Sequence, residues 1–91
     1  MVAALIDKRH RYATRDTFLY RLVLYPNEVF RLPRACTRIS ILDGRAWVTI
    51  GKQDRILIAG ETMQIKGTSS DILVSALPHE SLTFEIWTNG K

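Results

Sequence analysis

A single cysteine, Cys36, rules out an intramolecular disulfide, so the chain lacks the covalent frame on which small secreted domains depend. Arg34 and Arg38 flank it, and cationic neighbours lower a thiol pKa. With the apolar Ala35 before it and no histidine nearby, Cys36 reads instead as a buried or half-buried thiol. Histidine is nearly as scarce. His10 and His79 each lack a ligand partner two or four residues away, and a catalytic metal site needs three or more donors converging on one point. The expectation is no metal and no cofactor. Glu28 and Glu61 remain possible donors, but a carboxylate beside a turn more often caps that turn. There is also no Gly-x-Ser-x-Gly, no local Cys/His pair and no phosphate-binding glycine loop.

Long apolar runs are absent. The opening "MVAALI" gives way at once to "DKRHR", far short of a signal-peptide core or a membrane span. The sequence therefore reads as a cytoplasmic protein with no membrane partner. No Gly/Ser-rich linker interrupts it, and 91 residues allow one hydrophobic core. The domain reading is a basic N-terminal arm over 1–17 and one domain over 18–91.

What is present in quantity is alternation. "SLTFEIW" sets Leu82, Phe84 and Ile86 against Thr83, Glu85 and Trp87, and "TMQIK" sets Met63 and Ile65 against Thr62 and Gln64. "FLYRLVLY", "RISIL", "RAWVTI", "RILI" and "DILVSAL" are similarly short, rich in β-branched or aromatic residues and bounded by turn residues. Apart from a possible short helix over 3–12, the chain reads as all-β with seven or eight strands. A further regularity joins the strands in two sets. "LYPNEVFRLPRACTRISI" and "LIAGETMQIKGTSSDILV" share a pattern at an offset of 33 residues, matching Leu24 with Leu57, Glu28 with Glu61, Phe30 with Met63, Leu32 with Ile65, Ile39 with Ile72 and Ile41 with Val74. Two copies are too few for a solenoid but suit a barrel of two similar halves.

"GRAWVT", Asp54 and "LIAGETMQI", preceded by "RISILDG", resemble the short bacterial proteins grouped as domain-of-unknown-function family 2917 over about residues 24–87. The wider likeness is to cupins, which implies a small double-stranded β-helix, or jelly-roll, barrel of two halves. In metal-binding cupins a glycine is followed at fixed spacing by His-x-His. Counted from Gly44, Ile50 and Lys52 occupy those two positions, while Gly60 and Glu61 keep the turn. The resemblance thus implies the skeleton without its ligand set.

A two-residue type I′ turn at Asp43-Gly44 predicts a hairpin in which Ile39, Ile41, Ala46 and Val48 share one apolar face with Ile50. The other face then gathers Arg38, Ser40, Leu42, Arg45, Trp47 and Thr49, with Leu57 and Trp87 added from neighbouring strands. An indole among guanidiniums and hydroxyls is an interface centre, a platform for a small anionic or aromatic ligand, or a solvated face whose arginine stems cover the ring. The interface reading leads, and leftover strand edges favour a homodimer.

Basic charge concentrates early. Residues 1–38 carry eight Lys/Arg and three Asp/Glu, whereas 39–91 carry five and six. Lys8, Arg9, Arg11, Tyr12 and Arg15 form the run from which a nucleic-acid contact would be built, with Tyr20 and Tyr25 as stacking partners. No recognisable nucleic-acid module accompanies them, so nucleic acid is the less favoured partner. The functional expectation is a non-enzymatic, homodimeric small-ligand-binding or protein-interaction module. The alternatives are that nucleic-acid binder and a metal-free isomerase or lyase using Glu61 or His79 as base.

Overall fold

The computed structural model describes residues 16–65 and 71–89. Eight strands run in chain order: β1 (Asp16–Leu24), β2 (Val29–Arg31), β3 (Cys36–Asp43), β4 (Arg45–Ile50), β5 (Gln53–Ile58), β6 (Thr62–Gln64), β7 (Ile72–Ala76) and β8 (Leu82–Asn89). They form two four-stranded antiparallel sheets, one in the order β1-β8-β3-β6 and the other β2-β7-β4-β5. The all-β expectation holds among the described residues. The arm and the possible helix over 3–12 lie outside them, except that β1 takes in the arm's last two residues from Asp16.

The alternation explains the packing. Leu82, Phe84 and Ile86 of β8 are fully buried, as are Ile39 and Ile41 of β3, Ala46 and Val48 of β4, and Val74 of β7. Because successive strand residues point to opposite faces, one inner row from each sheet closes a shared apolar layer. Phe30 meets Phe84 edge to face across it, ring centroids 6.2 Å apart.

The 33-residue correspondence is architectural. Moving each strand of the first half to its counterpart in the second turns the order β1-β8-β3-β6 into that of the other sheet, read backwards. Of the matched residues, Leu24 and Leu57, Ile39 and Ile72, Ile41 and Val74 are buried pairs, while Phe30 with Met63 and Leu32 with Ile65 each join one buried residue to one partly buried against the core. The matched turns share their chemistry. Tyr25 N donates to Glu28 Oε1 at 2.8 Å, and Ile58 N donates to Glu61 Oε1 at 2.9 Å. Each turn then docks on the other half: Ala76 N donates to the Glu28 carbonyl, and Ile41 N to the Glu61 carbonyl. A left-handed residue stands just before the glutamate in both, Asn27 at φ 69° and Gly60 at φ 93°.

One expectation fails. β3 and β4 are not a hairpin: β3 pairs with β6 and β8, β4 with β5 and β7. Asp43-Gly44 is a corner that carries the chain from one sheet to the other. The apolar set Ile39, Ile41, Ala46 and Val48 is buried as expected, but its two halves face each other across the core rather than lying side by side.

Candidate functional site: two outer sheet faces

The corner at Gly44 divides the anticipated constellation. Arg38, Ser40 and Trp87 stand on the outer face of the first sheet, and Arg45, Trp47 and Thr49 on that of the second. Trp87 and Trp47 therefore look out from opposite sides of the molecule. Leu57, expected outside, is buried. The run Ile56-Leu57-Ile58 is apolar at every position, so its local pattern leaves the face undecided. The match of Leu57 with Leu24 was the signal that resolves it.

On the first sheet, β8 lies between β1 and β3, and the register brings Phe18, Trp87 and Arg38 into one row. Phe18 meets the indole edge to face, with centroids 5.3 Å apart, and the Arg38 guanidinium carbon sits 4.5 Å from the ring centroid on the other side. Such a stack joins apolar contact to a cation–π attraction. In the next rows Arg21 Nη2 pairs with Glu85 Oε2 at 2.6 Å, and Ser40 Oγ lies 3.3 Å from Thr62 Oγ1. Phe18 and Val23 are 45 and 50% exposed on this face, and the row of the Arg21–Glu85 pair separates them.

The second sheet differs. Val29, Trp47, Ile56 and Ile58 are 58, 42, 48 and 52% exposed on its outer side. The register runs Val29–Ser75–Trp47–Ile56 straight across all four strands, with Ile58 beside Arg45 in the adjoining row. Beside this stripe an open groove of about 300 Å³ is lined by Trp47, Asp54, Arg55, Ile56 and Leu77. Charges form a rim, and several of them are paired within the chain. Arg45 Nη2 holds Glu80 Oε2 at 2.6 Å, and Arg31 and Arg34 each stand 3.9 Å from Asp71. Glu80 is held below the usual carboxylate range by the hydrogen bond from Arg45, while Arg45 is pushed up by the same contact. An apolar centre with a charged, partly paired rim is the composition of a docking surface. Val29, Ile56, Ile58 and Leu77 were not anticipated with Trp47, because their assembly depends on strand order.

The interior offers no comparable surface. No polar or charged side chain is buried among the described residues. Cys36, buried in this layer, has its thiol pKa raised by burial, against the opposing effect of hydrogen bonds to backbone at Arg38 and Trp87. Glu61 is engaged in its turn, and His79 is an exposed turn residue at φ 72°; neither lines the groove beside Trp47. Tyr20 and Tyr25 are exposed. The described residues contain seven Lys/Arg and eight Asp/Glu, so the chain's positive excess comes from elsewhere in the sequence. Lys8, Arg9, Arg11, Tyr12 and Arg15 lie outside the described residues. No described helix is long and apolar enough to cross a membrane.

No protein-family profile matches the chain, and neither does any curated protein. Among solved structures it is similar to a Cupin 2 conserved barrel domain protein from Salinispora arenicola CNS-205, with a TM-score of 0.64 and 16% identity over 81% of this chain and 74% of that one. At such low identity the likeness speaks for architecture.

Cupin barrels commonly hold a metal on histidines and carboxylates inside the barrel, and these residues do not fit one. Ile50 pairs with Ile72 and packs against the apolar layer, while Lys52 is exposed in the turn between β4 and β5. No three His, Cys, Asp or Glu side chains gather among the described residues. Two four-stranded antiparallel sheets, exchanged by an internal repeat and superimposing on a solved cupin domain, give this chain the fold of a small cupin-like barrel.

Proposed function

We propose that this protein is a non-enzymatic interaction module: a homodimeric cupin-like barrel that acts through the outer face of β2-β7-β4-β5. The observation that carries the reading is the stripe of Val29, Trp47 and Ile56, with Ile58 beside it, laid across one sheet while the interior is filled by apolar side chains. Water contact with such a stripe is unfavourable, at ~25 cal/mol per Å² of apolar surface. On the rim around it Arg45 and Arg31 are already paired with Glu80 and Asp71 within the chain. Its resemblance in "GRAWVT" and the Gly60-Glu61 turn supports, as part of the same proposal, a kinship with domain-of-unknown-function family 2917. A small aromatic or anionic ligand would find its place in the groove beside Trp47, where Arg55 supplies the cation.

Sedimentation equilibrium tests the association. The full chain is expected to dimerise, and Trp47→Glu to raise its dissociation constant about a hundredfold by placing carboxylates in the apolar contact. A chain that stays monomeric at every accessible concentration would end the reading.

A further inference from the structure

The side chains on the outer face of β2-β7-β4-β5 are ordered along its rows in a way that selects what fits over them. The central row reads Val29, Ser75, Trp47, Ile56. Its largest member stands beside its smallest, on the two inner strands β4 and β7. The row next to it reads Arg31, Leu73, Thr49, Asp54, which puts a cation at one edge of the sheet and an anion at the other.

Those two edges carry unbalanced charge. Arg31 and Arg34 both stand 3.9 Å from the single carboxylate of Asp71, so one positive charge is left over beside β2. On β5, Asp54 makes no ion pair with any described residue. Arg55, next to it, stands opposite Val48 in the register and belongs to the set that alternates with Asp54 and Ile56.

We infer that two copies of the chain meet face to face across this sheet, about a two-fold axis that runs parallel to the strands between β4 and β7. This rests on the self-association proposed above and adds its orientation. Such an axis lays each row over the same row of the other copy, read in reverse, so that β4 covers β7 and β2 covers β5. Trp47 then enters the low place over Ser75 of the other copy, Val29 meets Ile56, and Arg31 meets Asp54, each contact occurring twice. Sheets packed face to face lie about 10 Å apart with their strands within about 30° of one another, and this axis gives that alignment. The groove beside Trp47, with Ile56 and Asp54 in its lining, comes under Val29 and Arg31 of the other copy.

The alternative aligned packing has its axis along the rows, and it fits worse. It sets every strand over itself, indole against indole and Ser75 against Ser75, and leaves Arg31 and Asp54 at opposite edges. With the axis along the strands the face is its own complement, large against small, apolar against apolar and cation against anion. That self-complementarity is what favours a second copy as the occupant.

Two charge-reversed variants of the full chain, Arg31→Glu and Asp54→Lys, test the orientation, and both positions are exposed. In its own dimer each variant sets like charges against each other twice. A dimer of one with the other instead holds one new carboxylate–ammonium contact and one native Arg31–Asp54 contact. Each variant alone is expected to keep the β-type circular dichroism spectrum and to dimerise about tenfold more weakly than wild type. Mixed in equal amounts, one of them mass-labelled, they are expected to give about nine-tenths mixed dimer by native mass spectrometry, against about one-half for random pairing. A wild type that never dimerises overturns both the orientation and the module. A wild type dimer that Trp47→Glu dissociates, combined with random pairing of the two charge variants, overturns the orientation alone.

Discussion

A Cβ on Gly44 would stand 2.2 Å from the carbonyl oxygen of Ser81, and Gly44 holds φ +84°. The corner between the sheets is therefore pressed against the start of β8. Gly60 also has positive φ, at +93°, but nothing lies within 4 Å of its missing Cβ. The same substitution should separate the two. Gly60→Ala is expected to cost about 1 kcal/mol, the left-handed conformation alone. Gly44→Ala adds a backbone collision and is expected to cost about 3 kcal/mol or more. Urea denaturation of both variants reads the difference, and equal losses would contradict the close approach.

Glu28 and Glu61 do the same work in equivalent turns. Glu28→Ala and Glu61→Ala are each expected to lose about 1 kcal/mol of stability, one carboxylate-to-backbone hydrogen bond apiece. Chemical denaturation measures it. A large loss in only one of them would break the structural equivalence of the halves.

That equivalence shows how far the sequence carried. The pairing of Leu24 with Leu57 and of Ile39 with Ile72 was visible as pattern, because a barrel built from two like halves repeats its inward positions. Asp43-Gly44 misled. A two-residue hairpin and a corner between sheets demand the same left-handed glycine, and only the long-range pairing of β3 with β8 decides between them. The face around Trp47 was half legible for the same reason: the indole announced itself, whereas Val29 joins it through β7, from a position 18 residues away in the chain.

The Arg45–Glu80 pair gives a pH dependence with a definite sign. Arg45 depresses the Glu80 pKa in the folded state, so the unfolded chain binds the proton more readily. The contribution is present above the ordinary carboxylate value of 4.5 and is lost as pH falls through the depressed one. It is small, as for any solvent-facing pair. Arg45→Ala should flatten the stability profile below that value relative to wild type, measured by denaturation as a function of pH, and a steeper profile would contradict it.

With Ile50 and Lys52 at the two positions where the resemblance implies histidines, elemental analysis of the purified full chain is expected to show no stoichiometric transition metal. Added zinc or manganese should leave the melting temperature in place. One ion per chain, removable by chelator with a fall in melting temperature, would contradict the apolar interior.

The outer face of β2-β7-β4-β5 as the working surface is tested most directly by sedimentation equilibrium of three proteins: wild type, Trp47→Glu, and Val23→Glu on the opposite sheet, where Val23 is also exposed. The expected result is a dimer for wild type and Val23→Glu and a monomer for Trp47→Glu. A dimer that survives Trp47→Glu and dissociates with Val23→Glu would place the contact on the wrong side of the molecule.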